Sequence, residues 1–256
     1  MTIKGIDVAS YQSTAYNTSG LAFVFVKATE GTTYFNPKYA DQVAHGRKSG
    51  LTVGHYLFQR PGGVKAQANY FAAHAAVKPG DMVAVDWEDS GVTCAAKDSM
   101  IKALQTKYPK SRVVLYCNRD FWLSRDTTSF CGDGLWIADP GAPAGSPRVK
   151  HPWTFHQYGI SGADLDVGNF ASRAALDAWA TKGVTASPKT TTAPKEVAVA
   201  TQIVDIPQTG DIGTVDENTP SGRKEYGIGY YLAHLLDESR RTNALLQQLV
   251  DAQKSA

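Results

Sequence analysis

The chain has 256 residues, of which 43% are hydrophobic and 20% are charged. This balance is ordinary for a folded globular protein and excludes a chain that is disordered throughout. The formal net charge of +2 is too small to indicate nucleic-acid binding by bulk electrostatics. No apolar run reaches the roughly 18–20 residues of a membrane span. We therefore expect neither nucleic-acid binding nor membrane insertion.

Eight short β-rich runs occur in the first two-thirds of the chain, and most are continuous apolar segments typical of strands covered on both faces. They are residues 5–8, 23–28, 52–58, 82–86, 112–117, 135–138, 154–158 and 165–167. Helical patterns lie between several of them, at residues 37–49, 64–77, 95–108 and 171–180. Asn36 before Pro37 is typical of a helix N-cap followed by a first-turn proline. This alternation predicts an α/β protein with an irregular β/α (TIM-like) barrel, and a doubly wound open sheet is the alternative.

The composition changes after residue 182, so we interpret residues 1–182 as one domain. Residues 183–222 are rich in Thr, Pro and Asp and have little periodicity, which is typical of a linker. Residues 223–256 are predicted to be helical, with leucines at a/d-type spacing. A helix this short is marginal alone in water, and the leucine stripe favours self-association into a homo-oligomer.

Polar side chains stand near the carboxyl ends of successive predicted strands. They are Asp7, Glu30, Tyr56, Asp86 with Glu88, Tyr116 with Asn118, Asp139, Gln157 and Asp166. A single acid after a strand is usually a helix cap, but repetition around the whole set is not explained in that way. In β/α barrels the active site lies at this end.

The segment Asp86-Trp87-Glu88 offers a pair of carboxyl groups. In an extended segment residues two apart share a face, so both acids can point into one cleft. Desolvation and mutual repulsion then raise the pKa of one and leave the other charged, which is what glycoside hydrolysis requires. Because Glu88 has the longer reach, we predict that it is the proton donor and that Asp86 is the ionised partner.

The histidines and cysteines do not predict a metal site. The six histidines form no HxH or HxxxH pair, and the three cysteines have no zinc-type spacing. A zinc amidase or peptidase is therefore disfavoured, and we expect neither metal nor cofactor. Cys117 lies in an apolar run and is expected to be a buried free thiol, although a Cys117–Cys131 disulfide stays open.

Over residues 3 to about 180 the sequence resembles the glycoside hydrolase family 25 lysozymes, because several separate motifs occur in the family's order. They are Gly5-Ile6-Asp7-Val8-Ala9-Ser10-Tyr11-Gln12, Val26-Lys27-Ala28-Thr29-Glu30-Gly31, Gly54-His55-Tyr56-Leu57-Phe58, Gln67-Ala68-Asn69-Tyr70-Phe71, Val85-Asp86-Trp87-Glu88, Leu135-Trp136-Ile137-Ala138, Trp153–Tyr158 and Asp166–Phe170. The sequence departs from the family's pattern at Ala9, Gly168 and the Asp139-Pro140 pair.

The resemblance implies an irregular β/α barrel that cleaves the β-1,4 bond between N-acetylmuramic acid and N-acetylglucosamine in bacterial peptidoglycan. It implies that the active-site acids are Asp7, Asp86, Glu88 and Asp166, with Glu88 as the proton donor. The residues expected to orient the cleft or contact the sugars are Glu30, Tyr56, Trp87, Tyr116, Trp136 and Gln157.

Two mechanisms are compatible with these acids. In one, a second carboxylate attacks the anomeric carbon; in the other, the 2-acetamido group of the substrate attacks while Asp86 orients its nitrogen. The N-acetylated substrate favours the second. A chitinase-type barrel is disfavoured because Ala84 stands where that class has a further aspartate. A catalytically inactive peptidoglycan- or chitin-binding barrel is the remaining alternative.

The resemblance also bears on the role in the cell. Residues 1–7 run directly into a predicted strand without a basic segment and a long apolar segment, so we expect synthesis in the cytoplasm without a signal peptide. With a wall substrate, this predicts a bacteriophage endolysin that a holin releases to the cell wall. Residues 223–256 would then have wall binding as the alternative to self-association.

Overall fold

The computed structural model describes residues 2–181, in which eight strands form a closed barrel and one short strand lies beside it. The strands are β1 (Ile3–Val8), β2 (Phe23–Glu30), β3 (Tyr34–Phe35), β4 (Thr52–Phe58), β5 (Met82–Asp86), β6 (Arg112–Asn118), β7 (Leu135–Ala138), β8 (Phe155–Ile160) and β9 (Asp164–Gly168). The eight predicted strands are all present, with ends within two residues of those predicted. Only β3, a short hairpin partner of β2, was not predicted.

The barrel runs in the order β1-β2-β4-β5-β6-β7-β8-β9 and closes because β9 pairs with β1. Neighbours from β1 through β8 are parallel, whereas β9 is antiparallel to both β8 and β1. Residues 161–163, which join β8 to β9, are too few for the crossover that a parallel pair requires. The start of β9 therefore lies at the same end of the barrel as the carboxyl ends of the other strands. The closed ring confirms the predicted barrel and excludes the open sheet.

Five helices accompany the strands in the described part of the chain. They are α1 (Tyr39–Lys48), α2 (Val64–His74), α3 (Cys94–Lys107), α4 (Arg119–Arg125) and α5 (Arg173–Ala180). At α3, α4 and α5 the N-cap side chains of Thr93, Asn118 and Ser172 accept a backbone N–H of the first turn. The short α4 was not predicted.

The prediction that Asn36 caps the first helix was wrong. The helix begins at Tyr39, and the Asn36 side chain is buried, where its amide donates to the Lys27 carbonyl at 2.8 Å and to Gln42 Oε1 at 3.0 Å. Asn36 Oδ1 accepts the backbone N–H of Lys38. Asn36 thus ties the segment before the helix to β2, a role that depends on tertiary contacts.

Two apolar layers hold the barrel together. Because successive strand residues point to opposite faces, apolar strands supply both layers at once. The inner layer includes Phe23, Phe25, Met82, Ala84, Val114, Trp136 and Phe155. The outer layer, between strands and helices, includes Val24, Val26, Val83, Val85, Leu115, Met100, Ile101 and Leu104.

The inner layer is packed closely around two glycines. A Cβ on Gly54 would lie 2.1 Å from Phe25 Cδ1, and a Cβ on Gly5 would lie 2.3 Å from the Phe23 ring. The Phe25 ring stacks on Trp136 with centroids 4.2 Å apart. The glycines therefore provide the space in which the aromatic rings fill the barrel.

A buried polar network joins α1, β4 and the loop before β5 outside the barrel. His55 Nδ1 lies 2.7 Å from the Tyr39 hydroxyl and His55 Nε2 lies 3.0 Å from Asp81 Oδ2. Arg47 also pairs with Asp81. Burial lowers the pKa of His55, which is fully enclosed, so the imidazole is neutral and donates to Asp81.

All three cysteines are free, and Cys117 is fully buried as predicted, so the Cys117–Cys131 disulfide does not form. In residues 2–181 no helix is long and apolar enough to span a membrane. The predictions of a linker at residues 183–222 and of a helix at residues 223–256 lie outside the described residues.

Candidate active site

The inward-facing residues at the carboxyl ends of the parallel strands converge on one cleft. In β5, Met82 and Ala84 belong to the inner layer, so Asp86, the next residue in this alternation, points inward at the end of the strand. Asp86 is paired in register with Phe58 of β4 and Tyr116 of β6. Barrel closure is therefore what brings polar residues from different strands together.

Asp86 and Glu88 lie next to each other at this end. Asp86 is 6% exposed, and its Oδ1 atom is buried without a hydrogen-bond partner among residues 2–181. Burial and then the charge of Glu88 raise the pKa of Asp86 well above its usual value, against the opposing effect of Lys27 and Arg60. Asp86 was predicted to be the ionised member of the pair. Its raised pKa means that it keeps its proton at pH values where an ordinary aspartate is ionised.

Glu88 is half-buried just beyond β5. Asn118 Nδ2 lies 3.4 Å from Glu88 Oε1, while Asn118 Oδ1 caps α4 by accepting the N–H of Phe121 at 2.9 Å. The helix cap therefore fixes the amide that faces Glu88.

Trp87, which was expected to orient the cleft or contact the sugars, does not line the cleft. The side chain is fully buried in the outer layer, where its Nε1 donates to the Val92 carbonyl at 3.0 Å and its ring meets the edge of Phe121. The reason is alternation in an extended segment: if Asp86 and Glu88 face the cleft, the residue between them faces away.

The first and last barrel strands contribute three more carboxyl groups. Asp7 lies opposite Asp164 in the antiparallel register of β1 and β9, and Asp166 lies opposite Gly5. Burial and the charges of Asp164 and Asp166 raise the pKa of Asp7 well above its usual value. Burial and the charge of Glu88 raise the pKa of Asp164 to about 6. Because like charges in one buried site repel each other, these carboxyl groups cannot all be ionised together.

Tyr116 and Gln157 hold Asp7 in place. Gln157 Nε2 donates to Asp7 Oδ2 at 2.8 Å, and the Tyr116 hydroxyl donates to Gln157 Oε1 at 3.0 Å. Both side chains are buried, with 6% and 7% exposure. Gln157 therefore acts on the carboxyl group of Asp7 in this structure.

Tyr56 and Trp136 form the floor of the cleft. The pKa of Tyr56 is raised by burial and then by the charges of four acids, Asp7, Asp86, Asp164 and Glu88. Trp136 is 2% exposed beneath Tyr56 and donates its Nε1–H to Asp166 Oδ1 at 2.8 Å. Trp136, which was expected to orient the cleft or contact the sugars, thus lies below the cleft and supports its tyrosines.

A cluster of alternating charges borders the Asp86 side. Lys27 Nζ lies 2.8 Å from Glu30 Oε2, and Arg60 bridges Glu30 and Asp89. Burial alone would raise the pKa of Glu30, but the Lys27 and Arg60 cations outweigh it and lower that pKa. Glu30 therefore stays ionised and holds two cations beside Asp86.

Three residues of this region were not predicted: Asp164, Lys27 and Arg60. Asp164-Leu165-Asp166 has the same alternation as Asp86-Trp87-Glu88, and Lys27 continues the inward series after Phe23 and Phe25. Those two could have been found from the sequence. Arg60 is in a loop, and its pairing has no local signal.

A metal centre does not form among the described residues, since no three His, Cys, Asp or Glu side chains are arranged to hold an ion there. The acids are instead spread around Tyr56, where they can exchange protons with a bound molecule.

Comparison with known proteins agrees with this architecture. Lysozyme M1 of Streptomyces globisporus is 29% identical over 211 residues, covering 68% of this chain and 69% of that protein. The N,O-diacetylmuramidase of Chalaropsis sp is 34% identical over 152 residues, covering 48% of this chain and 69% of that protein.

Solved structures share the fold. The family GH25 lysozyme of Aspergillus fumigatus superimposes with a TM-score of 0.61 at 23% identity, covering 71% of this chain and all (100%) of that one. The catalytic domain of endolysin ply40 from bacteriophage P40 of Listeria monocytogenes gives a TM-score of 0.57 at 19% identity, with 70% and 97% covered.

The family model described as Glycosyl hydrolases family 25 matches residues 6–167, which is well over half of the chain. The chain therefore belongs to glycosyl hydrolases family 25, and the prediction of a lysozyme-type glycoside hydrolase on an irregular β/α barrel is confirmed.

Proposed function

We propose that this protein hydrolyses the β-1,4 bond between N-acetylmuramic acid and N-acetylglucosamine in bacterial peptidoglycan, with Glu88 as the proton donor. The observation that carries the proposal is the juxtaposition of half-buried Glu88 with buried Asp86, whose Oδ1 has no partner within residues 2–181. Relatives named as a lysozyme and as N,O-diacetylmuramidases support the substrate class.

Asp86 is suited to bind the acetamido group of the sugar. An unpartnered, buried carboxylate oxygen needs a donor, and the acetamido N–H supplies one. A hydrogen bond to the carboxylate stabilises its ionised form, and the Lys27 and Arg60 cations act in the same direction. Substrate binding thereby favours the ionised form of Asp86 and leaves Glu88 as the protonated acid of the pair.

Cleavage then proceeds in two steps. The acetamido carbonyl oxygen of the muramic acid attacks C1, the bond from C1 to the glycosidic oxygen breaks, and Glu88 gives its proton to that oxygen. Water next attacks C1 and passes a proton to Glu88, and the bond between C1 and the acetamido oxygen breaks. Asp86 holds the acetamido N–H throughout, and Tyr56 and Asp7 line the reacting centre.

The test compares Glu88→Gln with Asp120→Asn, a carboxyl-to-amide change at an exposed residue of α4. We expect Glu88→Gln to lower kcat on bacterial walls by about 10²–10⁴-fold, the usual contribution of a general acid, and Asp120→Asn to have no effect. Mass spectrometry of the digest should show new muramic acid reducing ends. Reducing glucosamine ends or released peptides would refute the bond assignment.

The attacking group can be tested separately. Walls whose muramic acid lacks the N-acetyl group should be cleaved far more slowly, because the nucleophile is missing. Unchanged cleavage of such walls, or a covalent glycosyl-enzyme trapped at an aspartate, would point instead to attack by a carboxylate.

We further propose a role in bacteriophage-induced lysis, in which the enzyme reaches the wall through a holin pore. Fold similarity to the ply40 and CTP1L endolysins motivates this role. Expression in a host of known wall type, with and without a holin, tests it. Lysis only when both are present is expected, and lysis by the enzyme alone would contradict the proposed route.

A further inference from the structure

Asp166 is the most deeply buried carboxyl group of the site. Its exposed fraction is 0%, and its Oδ1 accepts the indole N–H of Trp136 at 2.8 Å. Its Oδ2 is also buried and receives no hydrogen bond from an N–H or hydroxyl group of residues 2–181. Such an oxygen is costly unless a hydrogen reaches it.

The neighbouring carboxyl group is Asp7. Asp7 and Asp166 are diagonal neighbours on the β1–β9 pair, because Asp166 is in register with Gly5 and Asp7 is in register with Asp164. The charge of Asp166 raises the pKa of Asp7, and Asp7 Oδ2 also accepts the Gln157 amide. Carboxylate groups carry no hydrogen to donate, so two ionised carboxylates in this contact would only repel. A hydrogen bond between them requires one carboxyl proton.

The charges around this pair are also negative. On β9 the nearest titratable group is Asp164, and from the strands across the barrel Tyr56, Tyr116, Asp86 and Glu88 face the same cleft. The ion pairs of residues 2–181 include no lysine, arginine or histidine bound to Asp7, Asp164 or Asp166. No cation is therefore placed to neutralise a doubly ionised pair.

We propose that Asp166 and Asp7 share one proton at neutral pH, and that Asp166 is a positioning residue that holds the Asp7 carboxyl toward the cleft. Asp166 does not reach the substrate, because its side chain is fully buried and its Oδ1 is bound to Trp136. This inference rests on the proposed function for the role of Asp7, but the shared proton itself is independent of activity. It reassigns Asp166 from the reacting acids, among which the sequence resemblance had placed it.

The pKa values agree in direction. Burial raises the pKa of Asp166 to about 8. A carboxyl group whose pKa is higher in the folded than in the unfolded protein contributes its stability below the unfolded value of 3.8, and that contribution is lost as pH rises toward about 8. Asn at this position keeps an acceptor for Trp136 and a permanent N–H for Asp7, and it cannot lose a proton.

The experiment compares wild type, Asp166→Asn and Asp166→Leu, with Asp120→Asn as the exposed control. Infrared difference spectra at neutral pH should show a protonated-carboxyl C=O band in wild type that Asp166→Asn removes. The Tm of Asp166→Asn relative to wild type should rise between about pH 4 and about pH 8, the unfolded and folded pKa values of Asp166. The alkaline limb of its kcat/KM profile should move to higher pH, and Asp166→Leu should be at least about tenfold less active than Asp166→Asn.

Absence of the infrared band, or a Tm difference that does not change with pH, would overturn the shared proton. Equal activity losses in Asp166→Asn and Asp166→Leu would overturn the positioning role. If Glu88→Gln kept full activity, the proposed function would fail while the infrared and Tm results would still decide the protonation of the pair.

Discussion

Replacing Gly54 by alanine should disturb the active site through the packing of the barrel interior. The new Cβ would lie 2.1 Å from Phe25 Cδ1, whereas ordinary contacts begin at 3.4 Å, so the ring must move by about 1.3 Å. Phe25 stacks on Trp136, and Trp136 donates to Asp166. A displaced ring therefore shifts the floor beneath the carboxyl groups.

The expected loss of unfolding free energy is about 1–3 kcal/mol, the usual cost of overpacking a dense core. For a domain of this size, 2 kcal/mol corresponds to a Tm lower by about 4–8 °C. The folded variant should also be less active, since a displacement of about 1 Å at a catalytic group costs on the order of 10²-fold in rate. Calorimetry and turbidity clearing of walls at a temperature where both proteins are folded measure the two effects.

Gly159→Ala is the matched control. Gly159 also lies in a barrel strand, but a Cβ there would meet nothing within 4 Å. Its Tm should be unchanged or slightly higher, because alanine reduces the freedom of the unfolded chain. Equal Tm values for Gly54→Ala and Gly159→Ala would refute the argument that glycine is required for the approach of Phe25.

Three other predictions concern the outer layer. Lys97→Met should lower the free energy of unfolding by about 3–5 kcal/mol, because buried Asp126 would lose its ion pair. Chemical denaturation measures this, with Lys107→Met at an exposed position as the control, and equal stabilities of the two variants would contradict it. The lowered pKa of His55 means that the unfolded chain takes up a proton before the folded protein does, so stability should fall as the pH drops below 6.5. The difference in unfolding free energy between wild type and His55→Asn should therefore shrink on acidification, and a constant difference would contradict this. Burial raises the pKa of Cys117, so a thiol reagent should spare it in the native protein and label it after unfolding; rapid native labelling of Cys117 would argue against its burial.

Several features could be predicted from the sequence because their signals are local. Continuous apolar runs such as residues 82–86 predicted strands covered on both faces, and the strands were found within two residues of their expected ends. Polar residues after those runs predicted which end of the barrel carries the cleft. The alternation of Asp86 and Glu88 also implies that Trp87 faces away from the cleft, although Trp87 was expected to contact the sugars.

Other features were decided by the tertiary structure, because they depend on which strands become neighbours. The short β8–β9 connection makes β9 antiparallel, and this places Asp164 at the cleft and Asp166 beneath it, although both share one face of the strand. The cations beside Asp86 come from β2 and from a loop distant in sequence. Burial and charge at a site are sums over such neighbours, so the raised pKa of Asp86 could not be read from its own segment. The amino-acid sequence alone predicted the barrel and the acids Asp7, Asp86, Glu88 and Asp166, but not Asp164. Closure of the barrel determined which acids meet, how deeply each is buried and which of them hold protons.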